Sequence, residues 1–516
     1  MPTVRDATFR IFAHFGVDAI FGNPGSTELP MMRDLPVGIR YVLGLLESVV
    51  VGMADGYAQA TRRPALVNLH SAAGTGHAMG NIFTAFKNQT PLVITAGQQA
   101  RSILPYDPFL NSYRATELPR PYVKWACEPA RAEDVPAAII HAFLVAMTPP
   151  CGPTFVSIPV DDWDVECAMP DIPALIAGKA VPLGAVDRIA EAFDRAESPV
   201  LVLGAGVART GGWNAAIALA ERSGAAVWVA PFAAREVFPE DHPQFAGFLL
   251  PRREAIVETL SGHDLILVAG APAFTYHVEG NGPHWPESAT LFLVSDDPEH
   301  SAALPGGTGV VADPAVLMAK LADHIAVRAS PKHMVERAAV PARAMTDAWL
   351  LHRIAALRPA DSIIVEEAPS SRDAMHEQLP IIRENGFYTT ASGGLGHGLS
   401  AAIGVAMVRR AERTIAILGD GSAMYAIQGL FSAAQMDVPV SFIIVNNRRY
   451  EALKSFGRHF GLQQVAGTDL SGIDFVALAQ GQGVAAERVT DVDALDVALE
   501  RSFQTQGPSL VEVVVA

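Results

Sequence analysis

Asp420 and Asn447 frame the most informative stretch of this 516-residue sequence, a GDG followed by 24 residues and then NN. Thr414 to Asn447 reads as an apolar strand, a Gly-Asp-Gly turn, a helix, a second strand and two asparagines. If the two strands are neighbours, Asp420 and Asn447 emerge together at their carboxyl ends, where open αβ sheets bind ligands. Gly419 and Gly421 let the backbone turn tightly and come close to a ligand. Ser422 opens a helix whose free N–H groups and positive dipole end suit an anionic diphosphate. One carboxylate, one amide oxygen and a nearby main-chain carbonyl are the hard oxygens that magnesium takes, alongside phosphate oxygens and water. A lone GDG is usually only a strand-to-helix turn. At this spacing from NN, a metal and diphosphate site is the better reading.

These residues need a frame. From Val17 to about Pro159, short β-rich runs (DAIFG, RYVLGL, PALVNLH, PLVITAG) alternate with helical stretches such as ESVVVGMADGYAQATR. That alternation predicts right-handed βαβ units and a parallel sheet covered on both faces. A second such segment runs from PVLVLGAGVA to about Ala326, with DLILVAG, TLFLVSD and GVVAD as later strands. The third begins near Arg343 and carries DSIIVEE, RTIAILGD, PVSFIIVNN and PSLVEVVVA. Linkers are expected at Val160 to Leu183 and at Val327 to Val340. The expected fold is α/β: three doubly wound parallel-sheet domains at 1–170, 184–326 and 341–516.

The GDG-x24-NN pattern resembles the fingerprint of thiamin-diphosphate enzymes. Over essentially its full length the chain is similar to the 2-oxo-acid decarboxylases among them, whose domains are pyrimidine-binding, middle and diphosphate-binding in that order. The resemblance implies thiamin diphosphate and Mg2+ as cofactors, with the metal on Asp420, Asn447 and the main-chain oxygen of Arg449. It also sets Gly419, Gly421, Ser422 and Tyr450 against the cofactor. It requires a glutamate after the second strand of the first domain, and Glu47 stands there in YVLGLLESVVVGMADGYAQA. Its carboxylate would hydrogen-bond N1′ of the aminopyrimidine ring. Considered alone, such a glutamate is more often a first-turn residue placed by the helix dipole. In TTASGGLGHGLSAAIG, Leu395 takes the place of the bulky residue beneath the bent cofactor, and Gly393 that of the carbonyl facing its 4′-amino group. Ser370 and Ser371 fall near a second diphosphate contact, in a loop (EEAPSSRDA) that departs from the family pattern.

Within the family the chain is most similar to the benzoylformate decarboxylases, through FGNPGSTELP, GMADGYAQA, NLHSAAGTGHAMG, PLVITAGQQAR, LPRPYVKWA, PVDDWD and GAPAFTYH. That similarity implies non-oxidative decarboxylation of a 2-oxo acid, benzoylformate first, to an aldehyde and CO2, with carboligation as a side activity. Asn23, Pro24 and Gly25 would meet the cofactor, and Ser26 the substrate carboxylate. His70 would protonate the substrate-derived carbon once CO2 has left, and His277 would assist later proton transfer and product release. Taken singly, a serine in a Gly-Pro turn is usually a turn former and a strand-end histidine usually just hydrogen-bonded. Phe109, Leu110, Thr389, Leu453 and Phe456 fall on the family's side-chain pocket, where ordinary core packing is the rival reading. Thr389 replaces a bulkier aromatic, and Arg448, Arg449 and Glu451 replace small residues, which leaves another 2-oxo acid open.

An acetolactate-synthase-like carboligase is the first alternative, and a catalytically silent homologue another. LGAGVAR at Leu203 to Arg209 also suggests a nucleotide-binding protein, but it lacks a third glycine and an acidic partner. With a net charge of −16 and no Lys/Arg run, neither nucleic acid nor an anionic membrane is an expected partner. Cys127, Cys151 and Cys167 are scattered, which fits reduced thiols in the cytoplasm. The opening MPTVRDATFRIFAHFGV reads as an amphipathic helix rather than a signal peptide. In the family, the glutamate and the metal motif of one site come from different subunits, so a homodimer at least, and a homotetramer by preference, is expected.

Overall fold

The computed structural model describes residues 1–174, 180–328 and 338–516. Among these residues, eighteen strands form three six-stranded sheets. The first contains β1 (Ala19–Gly22), β2 (Arg40–Leu43), β3 (Ala65–Leu69), β4 (Leu92–Gln98), β5 (Trp125–Cys127) and β6 (Thr154–Pro159), ordered β2-β1-β3-β4-β6-β5. The second contains β7 (Pro199–Leu203), β8 (Ala226–Val229), β9 (Phe245–Phe248), β10 (Leu265–Ala269), β11 (Thr290–Ser295) and β12 (Thr308–Val311), ordered β12-β11-β10-β7-β8-β9. The third contains β13 (Ile363–Glu367), β14 (Phe387–Tyr388), β15 (Thr414–Gly419), β16 (Val440–Asn446), β17 (Ala485–Val489) and β18 (Ser509–Val514), ordered β14-β13-β15-β16-β18-β17. Every neighbouring pair with a described register is parallel. The α/β architecture expected from the sequence is thus the observed one.

The central strands are buried along their whole length, because helices cover both faces. In the middle sheet, Leu201, Leu203 and Leu267 point into one core, and Val200, Val202, Ile266 and Val268 into another. This is the period-two alternation of a strand with an apolar layer on each side. Counted from β7, the middle sheet has the 3-2-1-4-5-6 order of dinucleotide-binding folds. At its switch point, however, the glycines serve packing. A Cβ on Gly206 would come within 2.7 Å of the Gly270 Cα, and one on Gly204 within 2.3 Å of the Ala271 Cβ.

The chain divides into two compact units, one of Met1–Leu175, Pro341–Met375 and Ser392–Ala516, the other of Ile176–Val340 and His376–Ala391. In the first unit, the helices Glu47–Thr61 and Gly398–Val408 pack almost backbone to backbone. A Cβ on Gly56 would lie 2.2 Å from the Ala401 carbonyl oxygen, and one on Gly404 2.0 Å from that of Met53. The opening helix, Val4–His14, carries a Thr3/Asp6 capping box. Part of the first expected linker is not a linker. Val4 and Arg5 donate to the carbonyls of Val165 and Trp163, Cys167 donates to that of Pro2, and Trp163 is buried in the first core. The hydrogen bonds to the N-terminal segment pin this stretch. The centres of both expected linkers, 175–179 and 329–337, lie outside the described residues.

Candidate active site

Paired parallel strands bring the site of the first unit together. β15 and β16 are neighbours, with Gly419 beside Val445, so Asp420 and Asn447 do leave the sheet at adjacent carboxyl ends. Asp420 opens the short helix Asp420–Met424 and accepts the Gly421 amide on Oδ1 at 2.7 Å. Its Oδ2 and the Asn447 Oδ1 accept the same donor, the Arg449 amide, at 3.2 and 3.1 Å. One N–H thus ties the carboxylate and the amide oxygen together. Burial raises the Asp420 carboxyl, and the amides of Gly421, Arg448 and Arg449 pull it only part of the way back. A buried carboxylate whose neighbours only partly offset its burial suits a further cation, and these oxygens with the Arg449 carbonyl can serve as a donor set for a hard divalent ion. Among the described residues no three His, Cys, Asp or Glu side chains gather as a metal cluster. Gly421 has no room for a side chain, since its Cβ would sit 2.2 Å from the Tyr450 ring.

The first sheet supplies the second half. β1 and β3 are neighbours across the switch point, and Asn23 to Ser26 follow β1 while His70 follows β3. Glu47 begins the helix after β2 and is 7% exposed. Asn23 Nδ2 donates to its Oε1 at 3.2 Å, and His77 Nδ1 lies 3.2 Å from its Oε2. His70 Nδ1 lies 2.9 Å from Glu28 Oε2 and 3.1 Å from Thr27 Oγ1. Glu28 is buried and also accepts the Gly25 amide at 2.8 Å. With Nδ1 facing a carboxylate, Nε2 is the nitrogen left for a reactant. A Cβ on Gly25 would fall 2.2 Å from His70 Nδ1, so glycine is required beside the imidazole. Ser26 is exposed in the same turn.

The sequence reading missed Thr27, Glu28 and His77. Glu28 lies two residues beyond Ser26 in the quoted FGNPGSTELP, and His77 seven residues beyond His70, on the helix that His70 caps. Both spacings were visible, but which acid met which imidazole was not.

The other expected residues divide. Gly393 is exposed with φ +67°, and Leu395 is half-buried, in the loop before the helix Gly398–Val408. Ser370 is exposed in the turn after β13, whereas Ser371 is buried. Phe109 is 97% exposed and Leu453 50%, so core packing does not explain either; Leu110 and Phe456 are half-buried. Arg449 is paired with Glu451 at 2.8 Å, and Arg458 joins the same carboxylate at 3.0 Å. Two residues belong to the other unit. Thr389 is buried, its amide on the Ala234 carbonyl at 3.0 Å. His277 is exposed, its amide on the Pro251 carbonyl at 2.9 Å and its ring edge-on to Phe232.

This geometry has known counterparts. Residues 2–114 match the family described as thiamine pyrophosphate enzyme, N-terminal TPP binding domain, residues 186–321 its central domain, and residues 370–513 its C-terminal TPP binding domain. The chain belongs to the thiamine pyrophosphate enzymes. It is 41% identical to a benzoylformate decarboxylase of Pseudomonas aeruginosa, over 99% of both chains. Among solved structures, a thiamine diphosphate-dependent 4-hydroxybenzoylformate decarboxylase of Rhodococcus jostii RHA1 superposes with a TM-score of 0.96 at 38% identity, covering 100% of this chain and 99% of the other. The benzoylformate decarboxylase of Polynucleobacter necessarius gives 0.96 at 37%, with the same coverage. The chain is accordingly an enzyme, a thiamin-diphosphate-dependent carboxy-lyase for 2-oxo acids.

Proposed function

We propose that the substrate is benzoylformate or a close aryl 2-oxo acid, released as the aldehyde and CO2, and that Mg2+ anchors the cofactor. One observation carries this reading: His70, its Nδ1 fixed by Glu28, stands across the β1–β3 switch point from Ser26. Bound between the two motifs, thiamin diphosphate supplies the electron sink that lets carbon dioxide depart. The chain's own residues do the rest. Asp420, Asn447 and the Arg449 carbonyl hold the metal, and the diphosphate rides on that metal beside the turn at Gly421 and Ser422. Glu47, fixed by Asn23 and His77, holds a proton at the pyrimidine nitrogen. Ser26 orients the substrate carboxylate, and His70 Nε2 delivers a proton to the carbon that carbon dioxide has left. His277 serves the later proton transfer.

Domain boundaries at 1–170, 184–326 and 341–516 go with this reading, as does a homodimer at minimum, by preference a homotetramer. Exposed Tyr106 and Phe460 support such an association, since large apolar side chains in water favour a partner surface. A cytoplasmic location is supported by three free cysteines, and no helix among the described residues is long and apolar enough to cross a membrane.

Product analysis with phenylglyoxylate, phenylpyruvate, pyruvate and a branched-chain 2-oxo acid, each with cofactor and magnesium, is the test. Free benzaldehyde with stoichiometric carbon dioxide from phenylglyoxylate is expected. A hydroxyketone as sole product moves the chain to the acetolactate-synthase type of carboligase.

A further inference from the structure

Behind the loop that carries Gly393 and Leu395 lies a buried group of ionisable side chains with no part in the reaction described above. Glu367, the last residue of β13, is 1% exposed. One of its oxygens accepts the Gly396 amide at 2.6 Å and the other the Gly398 amide. Between those glycines stands His397, fully buried, its Nε2 2.6 Å from Oδ2 of Asp55, which is fully buried too. Asn88 donates to that Asp55 oxygen at 2.9 Å and Gln59 to the other at 3.0 Å. Burial alone would raise the Asp55 carboxyl and lower the imidazole, but each partner's charge reverses this, and they behave as an ion pair. Glu366, on the same strand, is answered by Arg372, which donates to Oε2 at 2.7 and 3.1 Å, and by the Ala368 amide at 2.6 Å. Glu367 is met by backbone N–H groups instead. Glu366, His397 and Arg372 are the charged side chains that act on it, and neighbouring β15 brings the apolar Leu418 to its level.

The loop needs such an anchor. Gly393 and Gly396 have φ of +67° and +94°, and glycine, free to adopt many backbone conformations, needs outside contacts to stay in one. The Gly396 carbonyl is held as well, by Asn81 Nδ2 at 3.3 Å and Ser400 Oγ at 3.2 Å.

We propose that Glu367 is a positioning residue for the cofactor site: as a carboxylate it clamps both glycine amides and fixes the Gly393–Leu395 turn, and as a neutral acid it releases one of them. The chemistry is that of the acceptor. An ionised carboxyl offers lone pairs on both oxygens, whereas a protonated one turns a hydroxyl toward one of the two N–H groups. Burial lifts this carboxyl to about 7, with the Gly398 and Gly396 amides and His397 pulling against it, so the switch falls near neutrality. The inference rests on Gly393 and Leu395 facing thiamin diphosphate, as proposed above.

Two consequences run in opposite directions. The unfolded carboxyl ionises near 4.5 and the folded one at about 7, so between those values the folded state holds the extra proton. Stability therefore falls as pH rises through this window, while the clamp, and with it cofactor affinity, improves. An acid that was merely structural would not separate the two.

The test uses the full chain without cofactor, in magnesium, with thiamin diphosphate affinity read by quenching of intrinsic fluorescence and Tm recorded alongside, from about pH 5.5 to about pH 8.5. Glu367→Gln copies the neutral acid at every pH. Wild type should gain affinity relative to the variant as pH rises, by about tenfold, roughly the value of one such hydrogen bond. Its Tm should fall relative to the variant's up to about pH 7 and then level off. Parallel affinity curves overturn the clamp. A wild type that binds no thiamin diphosphate at any pH overturns the cofactor assignment and the clamp with it. Should the variant not fold, infrared difference spectra of wild type decide: a buried carboxyl band lost on titration through about 7 supports the clamp, and its absence overturns it.

Discussion

The first and third sheets share a strand order but use their carboxyl ends for different chemistry. Each has a helix after its second strand, Glu47–Thr61 in one and Gly398–Val408 in the other, and these two helices pack against each other through Gly56 and Gly404. At the head of the first helix stands Glu47, its carboxylate held by two side chains. At the head of the second stands His397, sealed against Asp55. The first sheet presents imidazoles and carboxylates, groups that move protons. The third presents a carboxylate and an amide oxygen tied by backbone N–H groups, which in the proposed reading hold a cation and its diphosphate without changing protonation. The proposed function thus divides a shared fold into a half that binds and a half that transfers protons.

Breaking the binding half should cost most. Asp420→Ala removes the only carboxylate of the proposed metal set, so magnesium-dependent retention of thiamin diphosphate, followed by calorimetry, should disappear together with turnover. Undiminished affinity would show that the two halves do not divide the work as described. Breaking the proton-handling half should leave binding in place. Glu47→Gln keeps shape and loses the charge, and kcat should fall about 10²- to 10⁴-fold, the range of general acid–base groups, with cofactor affinity changed far less. Equal losses in both quantities would erase the distinction between the halves.

This division was partly legible in the sequence. Asp420 and Asn447 could be placed because GDG and NN end two strands buried on both faces, which read as uninterrupted apolar runs. Edge strands such as β5 and β17 are half-exposed and short, and no such run announces them. Glu47 and His70 were legible by position, but their partners were not. The Glu28–His70 bond spans 42 residues and the Asp55–His397 bond 342, and only the folded chain closes such distances. The apolar pocket was least legible, because apolar residues bound for a core and for a substrate look alike in sequence. Exposure separates Phe109 and Leu453 from Thr389, which belongs to the middle unit and is buried there.

The tie between Glu28 and His70 gives a sharper version of the comparison. Glu28→Gln keeps an acceptor near Nδ1 but loses the charge that favours the tautomer with Nε2 free. A charge-assisted hydrogen bond contributes about 1.5–3 kcal/mol, so kcat should fall roughly 10- to 100-fold. Magnesium and cofactor affinities should be unchanged, since Glu28 lies in the proton-handling half. An unchanged kcat would show that Glu28 only packs against the ring.

The smallest effect belongs to the contact between the halves. An alanine in a helix is ordinarily about 1 kcal/mol better than a glycine. At Gly404 the added Cβ would lie 2.0 Å from the Met53 carbonyl oxygen and 2.6 Å from the Tyr57 nitrogen, so the backbones must part. Overpacking of this kind costs about 1–3 kcal/mol, more where the obstacle is main chain rather than a side chain that can swing aside. Gly404→Ala should therefore lower stability by about that amount in urea unfolding, against the helical propensity. Gly76 is the control: it lies in the helix Ser71–Asn88 with nothing within 4 Å of its would-be Cβ, so Gly76→Ala should be neutral or stabilising. The same gain at both positions would mean that the two helices do not need their close approach. A loss at Gly404 alone shows that the two helices of one chain hold each other through their backbones, whatever side chains they carry at their heads.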